Sequence, residues 1–253
     1  MPWPDNLSAP ERVRLARETT ERVIEHTNYL IGLSESNRKL IFSDVIASQI
    51  STSLASNTFN ILRDSQYRFE IIRLCALWDS ARSDRESIST IAALVDSLEA
   101  QELVANEARS QRTSMGDGTI FGSHNEAFRE YIIQSAREDA KVEGDKWAIR
   151  ASLQIRRACQ HVQKIQLSRR LNALRDLRDH RIAHTLADTA RRRSPGFRLR
   201  YRDSFSILRL SCRIIELFNL SLCGVCYKLE DVRKLHEENA RLFWDGITVN
   251  VLG

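Results

Sequence analysis

The chain is poor in the residues that interrupt helices. Proline occurs only four times in 253 residues, at Pro2, Pro4, Pro10 and Pro195, and in a helix interior it costs about 3 kcal/mol. Residues 11–194 hold no proline and only five of the nine glycines, Gly32, Gly116, Gly118, Gly122 and Gly144. That scarcity excludes collagen-like and low-complexity classes, and with them a β-rich fold built on frequent turns. A charged start followed by an apolar run is also missing from Met1-Pro2-Trp3-Pro4-Asp5, so no secretory signal is expected. The most apolar stretch, 205–229, contains Arg209, Arg213 and Glu216. These are costly in a bilayer, so no membrane partner is expected and the protein reads as soluble and cytoplasmic. The five cysteines, Cys75, Cys159, Cys212, Cys223 and Cys226, are odd in number and scattered, which suits reduced thiols. Cys226 continues the apolar register of Leu208, Cys212, Ile215 and Leu222, so a core thiol is expected there.

What is present is helical periodicity. Ser8-Ala-Pro10-Glu11 has the form of a capped helix start, followed by Val13, Ala16, Thr20, Val23, Thr27 and Leu30 on one face. A second helical stretch is expected from about Glu35 to Trp78, and Ser87 reads as the cap of a further helix. Residues 110–125, with Gly116, Gly118 and Gly122 among small polar residues, read as a loop. Helices are expected again over 125–142, from Asp145 to the Arg191-Arg192-Arg193-Ser194-Pro195 stretch, and over 203–240. In the second of these Trp147, Ala151, Ile155, Ala158, Val162 and Ile165 share a register that continues through Leu167, Leu171 and Leu174. The expected fold is all-α, an antiparallel up-and-down bundle of four to six long helices. It forms one domain over 1–253: N-terminal helices at 9–109, the 110–125 loop, and motif-bearing and C-terminal helices at 126–240.

The formal net charge of +5 is unevenly placed. Residues 141–210 carry 18 Lys and Arg against six Asp and Glu, a local +12 that leaves −7 for the remainder. A basic segment on an acidic body fits a polyanion, nucleic acid first; solvated loops and helix ends are the plainer reading. Trp147 and Tyr201 stand beside this segment as candidate base-stacking residues, although the register of Trp147 favours the core.

Chemistry concentrates in Leu174-Arg175-Asp176-Leu177-Arg178-Asp179-His180-Arg181-Ile182-Ala183-His184. The stripe of Leu167, Leu171 and Leu174 predicts an apolar residue at 178, then Ile182, but position 178 is arginine. A guanidinium on a core-facing register needs a carboxylate, a partner chain or a phosphate. Histidine beside it is suited to proton transfer near neutral pH. Arginine and histidine in a basic groove are sufficient to cleave RNA: one group takes the 2′-hydroxyl proton and the cation stabilises the phosphorane. Arg178 and His184 stand about 240° apart around an ideal helix, so their convergence requires a distorted helix or a shared cleft. Asp176, His180 and His184 share one helix side and have metal-ligand spacing, but Arg178 and Arg181 crowd a cation there; neither a metal nor another cofactor is expected. A structural role, with Arg and His capping neighbouring helices or pairing with Asp176 and Asp179, competes with catalysis.

Arg178-Asp-His-Arg-Ile-Ala-His184 resembles the R-x(4–6)-H motif of the HEPN superfamily. The flanking pattern looks most like its abortive-infection AbiU-type branch: long helices, an apolar helix ending Leu77-Trp78-Asp79, a short polar loop, then Ser87-Ile88. The resemblance covers about 10–240 and implies a helical homodimer with two motifs facing one cleft. It further implies a metal-independent endoribonuclease of phage defence or toxin–antitoxin systems that leaves 2′,3′-cyclic phosphate ends. Position by position, Arg178 would bind the scissile phosphate, His184 would act as general base or acid, and Asp179 would orient one of them. Arg175 and His180 satisfy the spacing too, which keeps His180 among the candidates, but Ile-Ala-His favours His184. Arg175, Arg181, Arg191, Arg192 and Arg193 would contact RNA, and an antitoxin or other defence protein is a further partner. Members silenced by adenylylation carry tyrosine two residues after the histidine; Leu186 stands there, which weakens that form of control. The alternative is a non-catalytic helical dimer that binds nucleic acid or a partner protein.

Overall fold

The computed structural model describes residues 3–50, 55–82, 86–115, 126–182 and 200–248. Among these no strand occurs, and the fold is all-α. Helix α1 spans Ala9–Phe42, α2 Asp44–Ile50, α3 Ala55–Ala76, α4 Ile88–Val95 and α5 Leu98–Met115. Helix α6 spans Glu126–Gln166, α7 Arg169–Asp176, α8 Tyr201–Cys223 and α9 Leu229–Gly246. Six of them (α1, α3, α5, α6, α8, α9) run for 18 residues or more. A π-helical segment, Leu177–Ile182, follows α7 directly.

Helix α1 begins as its sequence dictates. The backbone N–H of Ser8 donates to Glu11 Oε2 at 2.9 Å, half of a capping box, and Pro10 lies in the first turn where its missing N–H costs nothing. Its apolar face is buried throughout, Thr20 and Thr27 included, because each hydroxyl donates to a carbonyl one turn back, Ala16 O and Val23 O, at 2.7 Å. This helix packs on α9, α8, α4 and α3, while α6 packs along α5 and α8. Leu30, Ile71, Leu74, Trp78, Ile91, Ile155 and Phe218 form the centre of the core where these helices meet.

Several boundaries differ from the sequence expectation. Helix α1 passes through Glu35 to Phe42, since nothing between Leu33 and Ser43 breaks it. Helix α6 is continuous through Gly144, whose missing side chain admits α5: a Cβ there would stand 3.1 Å from the Arg109 carbonyl oxygen. The expected helix over 203–240 is two helices, because Gly224 at φ 69° ends α8 in the left-handed region. Cys226 consequently lies in the connecting turn and is exposed, not a core thiol. The long helix from Asp145 ends at Gln166 and restarts where Ser168 Oγ accepts from Leu171 N at 3.2 Å. Leu167, expected on the apolar face, therefore sits between two helix axes and is 82% exposed. The expected 110–125 loop is helical to Met115, and residues 116–125 lie outside the described residues. Tyr201 faces inward, packed on Phe42 and Tyr67 with its hydroxyl donating to Ser34 O.

One buried carboxyl makes stability depend on pH. Glu70 is 1% exposed and accepts from Ser34 Oγ at 3.0 Å and Asn37 Nδ2 at 2.8 Å. Burial outweighs these hydrogen bonds and raises its pKa above the ordinary value. The folded state thus takes up a proton before the unfolded chain does. Its contribution is fully present below the unfolded pKa of about 4.3 and is lost as pH rises through the folded value. Urea unfolding at pH 5 and pH 7.5 is expected to show Glu70→Gln gaining stability relative to wild type at the higher pH.

Candidate functional site

The site is built at the C-terminal end of α3. The apolar run Ile71, Leu74, Cys75, Leu77 and Trp78 turns that end into the core. Trp78 is fully buried, and its indole N–H donates to Ser211 Oγ of α8 at 2.9 Å. The chain then leaves through a corner tied to the start of α4: Ile88 N donates to Leu77 O at 2.9 Å, and Ser87 Oγ donates to Asp79 O at 3.1 Å. Ser87 caps α4 as expected, its hydroxyl oxygen accepting from Thr90 N.

Helices α6 and α7 close on this corner. The Gln166 side-chain amide donates to Trp78 O at 3.2 Å and to Ser89 Oγ. Arg175 Nη2 donates to Gln166 Oε1 at 2.7 Å and to the same Trp78 carbonyl. A guanidinium is thus placed at the negative end of α3, where a cation is favoured. One turn on, Arg178 Nη1 reaches Asp79 Oδ1 at 2.9 Å and its Nε reaches Asp179 Oδ1 at 2.7 Å. The Arg178 and Asp79 side chains are 25% and 24% exposed, and Asp179 is 52% exposed. These ion pairs, Asp179 first, raise the arginine pKa further, so it is a permanent cation. Beneath it lies Cys75, whose thiol burial pushes up to about 12 despite the two arginines, which removes it as a nucleophile.

The need for a carboxylate at the misplaced arginine is met from two directions. Asp179 is its neighbour in sequence, and Asp79 reaches it across 99 residues. Asp79 itself stands against the negative end of a helix, which is unfavourable by about 0.3–1 kcal/mol. Its position is explained by Arg178. Among the described residues Arg178 Nη2 has no partner, leaving donors free between the two carboxylates.

The helix is distorted at the arginine segment. Residues 177–182 are π-helical; hydrogen bonds from i to i+5 underwind the chain, and such segments recur at functional sites. Leu177, one turn on from Leu174, packs on the core in place of position 178. His180 and Arg181 lie on this segment, with side chains outside the described residues, as are His184, Arg191, Arg192 and Arg193 entirely. The structure therefore brings together Arg175, Arg178 and Asp179 of the expected residues. It adds Asp79, Gln166 and the Trp78 carbonyl.

The comparisons with known proteins bear on this corner. The AbiU2 family model of the HEPN domains matches residues 13–238, a span holding both Trp78-Asp79 and the arginine segment. The chain belongs to the HEPN AbiU2 family. No curated protein and no solved structure matches it significantly. For this AbiU2-family chain, no helix among the described residues is long and apolar enough to cross a membrane. No group of three or more His, Cys, Asp or Glu among those residues could hold a metal ion.

Proposed function

We propose that this protein is a HEPN-type endoribonuclease of antiviral defence or a toxin, cleaving RNA without a metal. The observation that carries the reading is Arg178, a half-buried cation that two carboxylates fix while both N–H groups of Nη2 have no partner among the described residues, inside the segment the family model covers. The free donors of Nη2 would take a phosphate oxygen, and the permanent charge would stabilise the phosphorane. His184 would remove the 2′-hydroxyl proton or protonate the departing 5′-oxygen, with its counterpart from a second copy across a two-fold axis taking the other role. The 2′-oxygen bonds to phosphorus, the bond from phosphorus to the 5′-oxygen breaks, and the products are a 2′,3′-cyclic phosphate and a 5′-hydroxyl.

The test is incubation of purified protein with a panel of single-stranded RNAs in EDTA, with both new ends identified. Cleavage to a cyclic phosphate and a 5′-hydroxyl is the expected result; intact RNA throughout would reject the reading. One observation favours a second reading, a non-catalytic helical protein that binds nucleic acid. Arg175 already binds a carbonyl and Arg178 two carboxylates, so both stabilise the end of α3 without any substrate. That reading predicts salt-sensitive binding and no cleavage under any condition.

A further inference from the structure

Residues 146–175 hold eight Lys and Arg and not one Asp or Glu. Many surface arginines elsewhere are neutralised by carboxylates on their own or a facing helix, although exposed Arg73, Arg202, Arg209 and Arg213 are not among the described residues. Arg14 pairs with Glu18, Arg38 with Glu35 and Glu237, Arg233 with Glu230 and Glu237, and Arg241 with Glu238. Along the second half of α6 this pattern stops. Exposed Arg157, Lys164 and Arg169 have no carboxylate partner among the described residues.

Helical geometry orders these cations. At about 100° per residue, Lys146, Arg150, Arg157 and Lys164 fall within an arc of about 40° on α6. The buried face of Ala151, Ile155, Ala158 and Val162 lies on the other side, centred more than 100° away. The stripe runs about 27 Å along the helix. Apolar surface borders it: Ile149 and Leu153 are 62% and 47% exposed. Trp147, half-buried, has the Arg112 and Arg150 guanidiniums 5.2 and 5.7 Å from its ring centroid. Gln166, bonded to the Trp78 carbonyl and to Arg175, lies on the opposite side of α6 from the stripe, about 180° around the helix.

We infer that this face of α6 forms a track for single-stranded RNA. Cations in a line, of which Lys146 is held by Glu143 at 2.7 Å, suit a flexible phosphate chain, and the exposed apolar side chains and half-buried Trp147 beside them suit unstacked bases, which a duplex would keep hidden. A run of this length serves on the order of four nucleotides. The inference rests on the ribonuclease reading for its choice of RNA, although the binding it describes does not require cleavage.

The experiment measures fluorescence anisotropy of a labelled single-stranded RNA carrying 2′-O-methyl groups throughout, which cannot be cut by its own 2′-oxygens, over a series of KCl concentrations. Arg157→Gln/Lys164→Gln is expected to bind about tenfold more weakly near physiological salt, with the slope of log affinity against log salt reduced by about 1.4. Arg14→Gln/Arg241→Gln makes the same change in net charge away from the stripe and is expected to bind like wild type. Equal weakening in both double variants would reduce the effect to net charge and overturn the track. So would undiminished binding by the first variant with its helicity intact, or no binding by wild type. If the stripe variant alone weakens binding but unmodified RNA is never cut, the track stands and the ribonuclease reading fails.

Discussion

Arg178→Ala is expected to lower RNA cleavage by about 100- to 1,000-fold, the usual loss when a donor to the developing phosphorane charge is removed. His184→Ala is expected to cost about 100- to 10,000-fold, as for a general acid or base. The two losses should not multiply, because groups that serve one transition state fail together. Arg178→Lys should recover little. A lysine keeps the charge but cannot hold Asp79 and Asp179 from separate nitrogens while offering a third to phosphate. Single-turnover cleavage by wild type, the three single variants and the double alanine variant, each shown by circular dichroism to be folded, decides the assignment. Unchanged rates in both alanine variants would take the active site away from this segment. Loss in Arg178→Ala accompanied by unfolding would favour the helix-capping role.

Trp78→Ala is expected to destabilise the protein by about 3–5 kcal/mol, a transfer term plus the cavity it leaves. In a chain of this length that lowers the melting temperature by on the order of 10 °C. Its side chain is fully buried and its indole anchors α8 through Ser211, while its carbonyl receives Arg175 and Gln166. Trp78→Phe keeps most of the packing and loses mainly the hydrogen bond, a cost of about 0.5–1.5 kcal/mol because Ser211 Oγ still donates to Ile207 O at 2.9 Å. Calorimetry of the two variants separates these contributions. Equal, small shifts would show that the corner collapses around the cavity.

Much of the helical architecture was legible because its signals are local. The Ser8-Pro10-Glu11 start, the Ser87 cap and the four-three spacing from Val13 to Leu30 each act within a turn or two of chain. Glycines misled in both directions. Gly144 looked like an interruption and instead admits a neighbouring helix, whereas Gly224 was absorbed into an apolar register and ends one. The difference lies in which conformation the surroundings impose, a tertiary property. At the site, the mismatch of Arg178 with its apolar stripe was visible, and so was its need for a carboxylate. That Asp79 would supply one was not, since no spacing rule links residues 99 apart. The π segment was also hidden, because the residues that underwind a helix are the same as those that wind it.

The turn between α8 and α9 has a practical use. Of the five thiols, burial pushes Cys75, Cys159 and Cys212 up to about 12 and raises Cys223 as well, whereas Cys226 alone stands exposed. Reactivity follows access and thiolate fraction. A maleimide probe should therefore attach at one place, without mutagenesis, and report how many copies come together and how far apart they stand.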